Sequence, residues 1–229
     1  MVRFTKKYGH GLVILIYSII YLILFAYLEN RTVYGYHVVD TVFDDHIPFC
    51  EFFIVPYLLW FPYMISTVLY FIFWNDNKRE YYQLILNLMM GMTVFLIVSY
   101  IYPNVLHLRP TEFPRDNIFT DAVRWLYRTD TPTNVLPSIH VFNSLAIHMS
   151  LTNCEALRDR KGIRRASLVL TVLIILSTMF LKQHSVIDVC LGSTLALFGH
   201  LFFYPQKAHE SSRRRVAVAG NGKGKRRHF

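Results

Sequence analysis

Three short runs of the sequence place titratable residues among apolar ones. In STMFLKQHSVIDVCLG, His184 and Asp188 are four residues apart, so on a helix they share one face and reach each other. A carboxylate that accepts one ring N–H fixes the imidazole tautomer and leaves the other nitrogen as a nucleophile. It also stabilises the cation that forms on attack. In LPSIHVFNS, His140 follows Pro137 and Ser138, and a second imidazole is suited to protonating a leaving oxygen. In YPNVLHLRPTEF, Arg109-Pro110 offers a planar, permanently charged fork for phosphate oxygens. Ser138 and the backbone N–H groups that open the following helix add donors. Nucleophile, acid and anion clamp are therefore all present. Alone, a His-x3-Asp pair is most often structural and Pro137 a helix starter; the ordered set points to chemistry. His107, His148 and His200 lack such company and read as packing or interfacial residues.

The elements that must position these residues are membrane helices. Of the 229 residues, 53% are hydrophobic and 17% charged, against about 25% charged in an ordinary soluble domain. The apolar residues fall into blocks approaching the roughly 20 residues that cross a hydrocarbon core about 30 Å thick. These blocks are 11–28, 52–74, 81–102, 135–151, 167–181 and 186–204. The first has no charge and no proline and is followed by no cleavage signal, so it reads as a retained span rather than a signal peptide. Pro56 and Pro62 predict a kink in the second. The last three are less apolar because they carry the motifs. The expected fold is all-α: a polytopic bundle of about six transmembrane helices over residues 1–205, followed by a basic, disordered tail over 206–229.

Lys and Arg favour cytoplasmic connections. With six spans, one side collects eighteen of them: Arg3, Lys6, Lys7, Lys78, Arg79, the cluster from Arg158 to Arg165, and the tail. The other side has Arg31, Arg109, Arg115, Arg124, Arg128 and Lys182. Both termini are thus expected in the cytoplasm of a plasma membrane or equivalent bilayer. The three motifs then fall at one level, the non-cytoplasmic rim, although the histidines played no part in that count. Ionisable groups at the edge of a span are costly and suggest function. The basic tail is expected to meet anionic lipid headgroups rather than nucleic acid. Cys50, Cys154 and Cys190 show no CxxC spacing and predict neither disulfide nor zinc site. In the first outer connection, Asp44, Asp45 and His46 read as a solvated loop, with headgroup selection as the alternative.

These residues resemble the type 2 phosphatidic acid phosphatase family. Its pattern is Arg-Pro, then Pro-Ser-Gly-His, then Ser-Arg, five residues, His, three residues, Asp. Here the order is Arg109-Pro110, then Pro137-Ser138-Ile139-His140, then Ser177-Thr178 with His184 and Asp188 at the family's spacing. The resemblance implies metal-independent, cofactor-free phosphoryl transfer from a lipid phosphate through a phosphohistidine. It makes His184 the nucleophile, His140 the acid, Asp188 the orienter, and Arg109 and Ser138 phosphate ligands. The family's lysine is Tyr102 here, its motif glycine Ile139 and its second arginine Thr178. Lys182 or Arg115 would have to replace the missing cations. A site with less positive charge suits a singly charged phosphodiester, which is similar to the substrates of sphingomyelin synthases and inositol phosphorylceramide synthases. The rival from another class is a transporter or assembly protein whose buried His and Asp bind a proton or ion. It predicts His140 and His184 more than about 10 Å apart, since catalysis needs both on one phosphate.

Overall fold

The computed structural model describes residues 8–205. The tail expected over 206–229 and the basic residues Arg3, Lys6 and Lys7 lie outside the described residues. In chain order the helices are α1 (Leu12–Asn30), α2 (Val42–Asp45), α3 (Ile54–Phe73), α4 (Lys78–Ile101), α5 (Ile118–Thr129), α6 (Ile139–Asn153), α7 (Lys161–Phe180) and α8 (Val186–Phe203). A two-residue parallel pair, β1 (His37–Val38) with β2 (Asn104–Val105), ties the connection after α1 to the one after α4. Helices α1, α3, α4, α7 and α8, with the lead-in turns of α1 and α3, are long and apolar enough to cross a membrane. Pro56 falls in the first turn of α3, where a missing N–H costs nothing, and Pro62 lies inside that helix.

The expected fourth span differs. Residues 135–138 are not helical, and α6 has only 15 residues, about 22 Å at 1.5 Å per residue. It does not reach across a bilayer core by length. It is instead the helix that the others surround, packed against α3, α4, α7 and α8. Being sheltered from lipid, it can carry His140, Asn143, Ser144 and Ser150 inward without exposing them to hydrocarbon.

Between apolar helices in lipid, close packing replaces the hydrophobic effect as the cohesive force, and small residues permit it. Gly91 of α4 faces the ring of Phe142 of α6, and a Cβ there would lie 2.0 Å from it. On α8, Gly192, Ala196 and Gly199 form one buried stripe. Gly192 lets the Ser138 carbonyl approach, and Gly199 admits Asn87. The core so formed includes Leu84, Leu88, Phe142, Ile147, Ile174 and Ala196.

The ends of α1, α4 and α7 meet the starts of α3, α6 and α8. Arg31, just past α1, donates to the carbonyls of Ser99 (2.6 Å) and Tyr100 (3.0 Å) at the end of α4. Between α4 and α6, a stretch expected to be plain connection contains α5. Asn117 caps it, accepting from Phe119 N and Thr120 N at 3.0 Å each. Val123 and Leu126 of α5 pack on Ile54, Tyr57 and Leu181, which fastens this helix across the ends of α3 and α7.

Candidate functional site

The start of α8 is organised by one carboxylate. Ser185 is the N-cap, its hydroxyl accepting from Ile187 N (3.4 Å), and Asp188 reaches back to accept from Ser185 N (2.9 Å). This is the reciprocal capping arrangement. The same oxygen of Asp188 lies 3.2 Å from His184 Nδ1. One buried aspartate therefore both starts the helix and orients the imidazole.

His184 is delivered by the turn that ends α7. Thr178 C=O accepts from Gln183 N (2.9 Å) and His184 N (3.0 Å), and Lys182 takes a left-handed backbone with φ of 51°. That conformation costs a non-glycine residue about 1–2 kcal/mol, so the surrounding bonds hold it. Thr178 stands where the family has arginine, and its hydroxyl donates to Ile175 C=O (2.7 Å).

His140 occupies the first turn of α6, after Ser138. Its ring packs against those of Tyr57 and Trp60 of α3, with centroids at 4.7 and 4.5 Å. Its Nδ1 is 3.4 Å from His184 Nε2, and the two imidazole centroids are 5.6 Å apart. An imidazole from the first turn of α6 thus meets one from the turn before α8, the latter backed by a carboxylate and the former by aromatic rings.

Arg109 stands against this pair through Gln183, the residue before His184. Its guanidinium donates to Gln183 Oε1 (2.7 Å), Asp130 C=O (2.7 Å) and Tyr127 C=O (3.1 Å), and lies 4.5 Å over the Tyr127 ring. Two buried donors here have no acceptor: Arg109 Nε and Gln183 Nε2. Unsatisfied buried donors are rare and call for an explanation. Burial lowers the Arg109 pKa, against the pull of Asp130. Burial raises that of Asp130, with His184, the Tyr57 hydroxyl and Arg109 acting the other way.

Ser138 is fully buried. Its hydroxyl caps α6 by accepting from Val141 N (3.4 Å), and its N–H donates to Asp188 C=O (3.3 Å), joining the starts of α6 and α8. Lys182 is turned elsewhere: its ammonium donates to Asp44 C=O (2.7 Å), and burial lowers its pKa against the opposing effect of Asp44 and Asp45. Arg115 pairs with the buried Glu51 (3.2 Å). Neither candidate replacement cation bonds to His140, His184 or Asp188. Tyr102 stacks on His37 with centroids 4.1 Å apart, and Ile139 packs with Tyr21 and Phe95.

Asp44 departs from the expected solvated loop. It is buried, not solvated; Asp45 and His46 are the exposed members of that loop. Its carboxylate accepts from Ser185 Oγ (2.6 Å) and Val186 N (2.8 Å) at the start of α8, and from Thr41 N and Oγ at 2.7 Å. Burial pushes its pKa up, but these four bonds outweigh that and leave it lowered. Asp130, Gln183, Tyr57 and Trp60 were also missed. Gln183 alone had a signal, its place beside His184. Among the described residues no group of His, Cys, Asp and Glu is arranged to hold a metal, and Cys50, Cys154 and Cys190 are unpaired. Compared with protein-family models, curated proteins and solved structures, the chain matches none of them.

Proposed function

We propose that this chain is a membrane-embedded, metal-independent lipid phosphatase acting through a phosphohistidine. The observation that carries the proposal is the close pair His184 and His140, the first held by Asp188 and preceded in the chain by Gln183, which accepts from Arg109. His184 donates its Nδ1–H to Asp188, and its Nε2 attacks phosphorus as the two rings part to admit the phosphate. The bond from phosphorus to the lipid oxygen breaks, and protonated His140 gives that oxygen its proton. Neutral His140 then takes a proton from water, water oxygen attacks phosphorus, and His184 leaves. Arg109 and Gln183 hold the phosphate oxygens throughout. The 5.6 Å between imidazole centroids supports this over a non-catalytic transporter or assembly protein. The proposal includes six crossings, the sheltered one made by α6 together with the non-helical residues 135–138 before it, both termini cytoplasmic, and the site at the outer rim.

One observation favours a second reading, transfer of a phospho-headgroup to a lipid alcohol. Lys182 and Arg115 are engaged by Asp44 C=O and Glu51, so the pair is served by Arg109, a charge balance suited to a phosphodiester. The test is reconstituted protein with chelator present, given lipid phosphates, polyprenyl diphosphates or lipid phosphodiesters, and scored for free phosphate against a new lipid. His184→Ala should abolish either product and the trapped phosphohistidine. Full activity in that variant would refute both readings.

A further inference from the structure

Helix α5 presents three stripes. Thr120, Val123 and Leu126 are buried against the bundle. Asp121, Arg124 and Arg128 form a polar stripe, with Arg124 bonded to Asp116 and Asp121 at 2.8 Å each. Between these stripes, Ile118, Ala122 and Trp125 recur at i, i+4 and i+7, the spacing of one helical face. Ile118 is 76% and Trp125 57% exposed. A helix serving only protein and water needs two faces; this one has an apolar third.

That third face adjoins the exposed apolar flank of α3. Phe52, 48% exposed, packs edge-on against Phe119 of α5 with centroids 5.1 Å apart. Below it, Val55 and Leu59 are exposed along α3, a helix long and apolar enough to span a membrane. The Phe52–Phe119 contact therefore joins the exposed apolar flank of α3 to α5, with the Arg115 guanidinium 5.9 Å over the Phe52 ring as a polar group at the junction. Trp at the margin of a span is the residue type that favours the headgroup boundary, and a helix lying flat with a narrow apolar face is the shape that binds there.

We infer that α5 is an interfacial helix that rests on the lipid leaflet at the site end of the bundle, with Ile118 and Trp125 in the headgroup boundary. Its occupant is the bilayer's own lipid, not a protein partner. The consequence for the site rests on the proposed function: Tyr127 at the end of α5 and Asp130 just beyond it hold Arg109. Lipid contact and phosphate clamp thus belong to one short element, which sets Arg109 at the depth of lipid phosphates.

The test uses the full chain in lipid vesicles with 5-fluorotryptophan at Trp60, Trp74 and Trp125. The Trp125 fluorine line is the one missing in Trp125→Phe, and Ile118→Trp adds an independent line. Both lines should lose intensity when the vesicle lipid carries a nitroxide near the headgroup, and keep it with a water-soluble gadolinium chelate. Loss with the chelate alone would place the face in water. Loss with neither would mean a covering protein surface, a second copy included. Either result overturns the inference. Because no activity is read, its failure leaves the catalytic proposal standing, and loss of that proposal leaves the depth measurement valid.

Discussion

Replacing Asp44 by Asn removes one charge from a buried junction with little change of shape. All four partners of the carboxylate are donors: Thr41 N–H, Thr41 O–H and Ser185 O–H on Oδ2, and Val186 N–H on Oδ1. An amide offers one accepting oxygen, so whichever way it turns its NH2 confronts a donor. With the oxygen toward Ser185, the Val186 N–H loses its acceptor. A hydrogen bond to a charged group is worth about 1.5–3 kcal/mol, and stranding a buried donor costs about 1–3 kcal/mol. The two overlap, and a total near 3 kcal/mol follows. At about 1.4 kcal/mol per power of ten, this raises local opening at the start of α8 roughly a hundredfold. Hydrogen exchange at the Val186 amide should accelerate by that factor, with the cores of α4 and α6 unchanged. The pH dependence has a definite sign. Because the folded pKa of Asp44 is lowered, its stabilisation is full above the ordinary carboxylate value of about 3.9. It is lost as pH falls through the lower folded value, a loss the variant lacks. In the proposed enzyme, a loosened His184 turn should lower kcat about ten- to a hundredfold, since small misplacements of reacting groups cost that much. Unchanged exchange at Val186 would refute the reasoning.

Arg109→Lys keeps the charge but loses the fork that spans Tyr127, Asp130 and Gln183. Its kcat/KM on the substrate identified should fall about a hundred- to a thousandfold, and steady-state kinetics showing parity with the parent would remove Arg109 as clamp. Asp130→Asn tests the opposite titration sign. A folded pKa raised by burial means stability present below about pH 4 and lost as pH rises through the folded value. The Tm of the variant relative to the parent in detergent should therefore climb from pH 4 to pH 7, and a flat difference would contradict this. Gly91→Ala forces a Cβ to 2.0 Å from Phe142. The overpacking should cost about 1–3 kcal/mol, read as a lower Tm and recovered in part by adding Phe142→Leu.

What the sequence determined by itself is local. Spans are set by runs of apolar residues close to the roughly 20 that a bilayer needs, and 11–28, 52–74, 81–102, 167–181 and 186–204 each fall in a long helix. The contact of His184 with Asp188 is equally local, although it forms across the N-cap of α8, with His184 in the preceding turn, and not along a helix face. The tertiary structure decided what depends on pairing across the chain. Residues 135–151 have a span's composition, but only the packing of four helices around α6 makes a 15-residue helix central. Asp44 meets Ser185 across 141 positions, and Lys182 meets Asp44 C=O across 138. No spacing rule encodes such meetings, so an acidic loop looked solvated and a lysine near the histidines looked like a ligand. The Lys182 ammonium bonds to the carbonyl of Asp44. Which carbonyl that is depends on where the first connection folds back, and only the assembled bundle determines that.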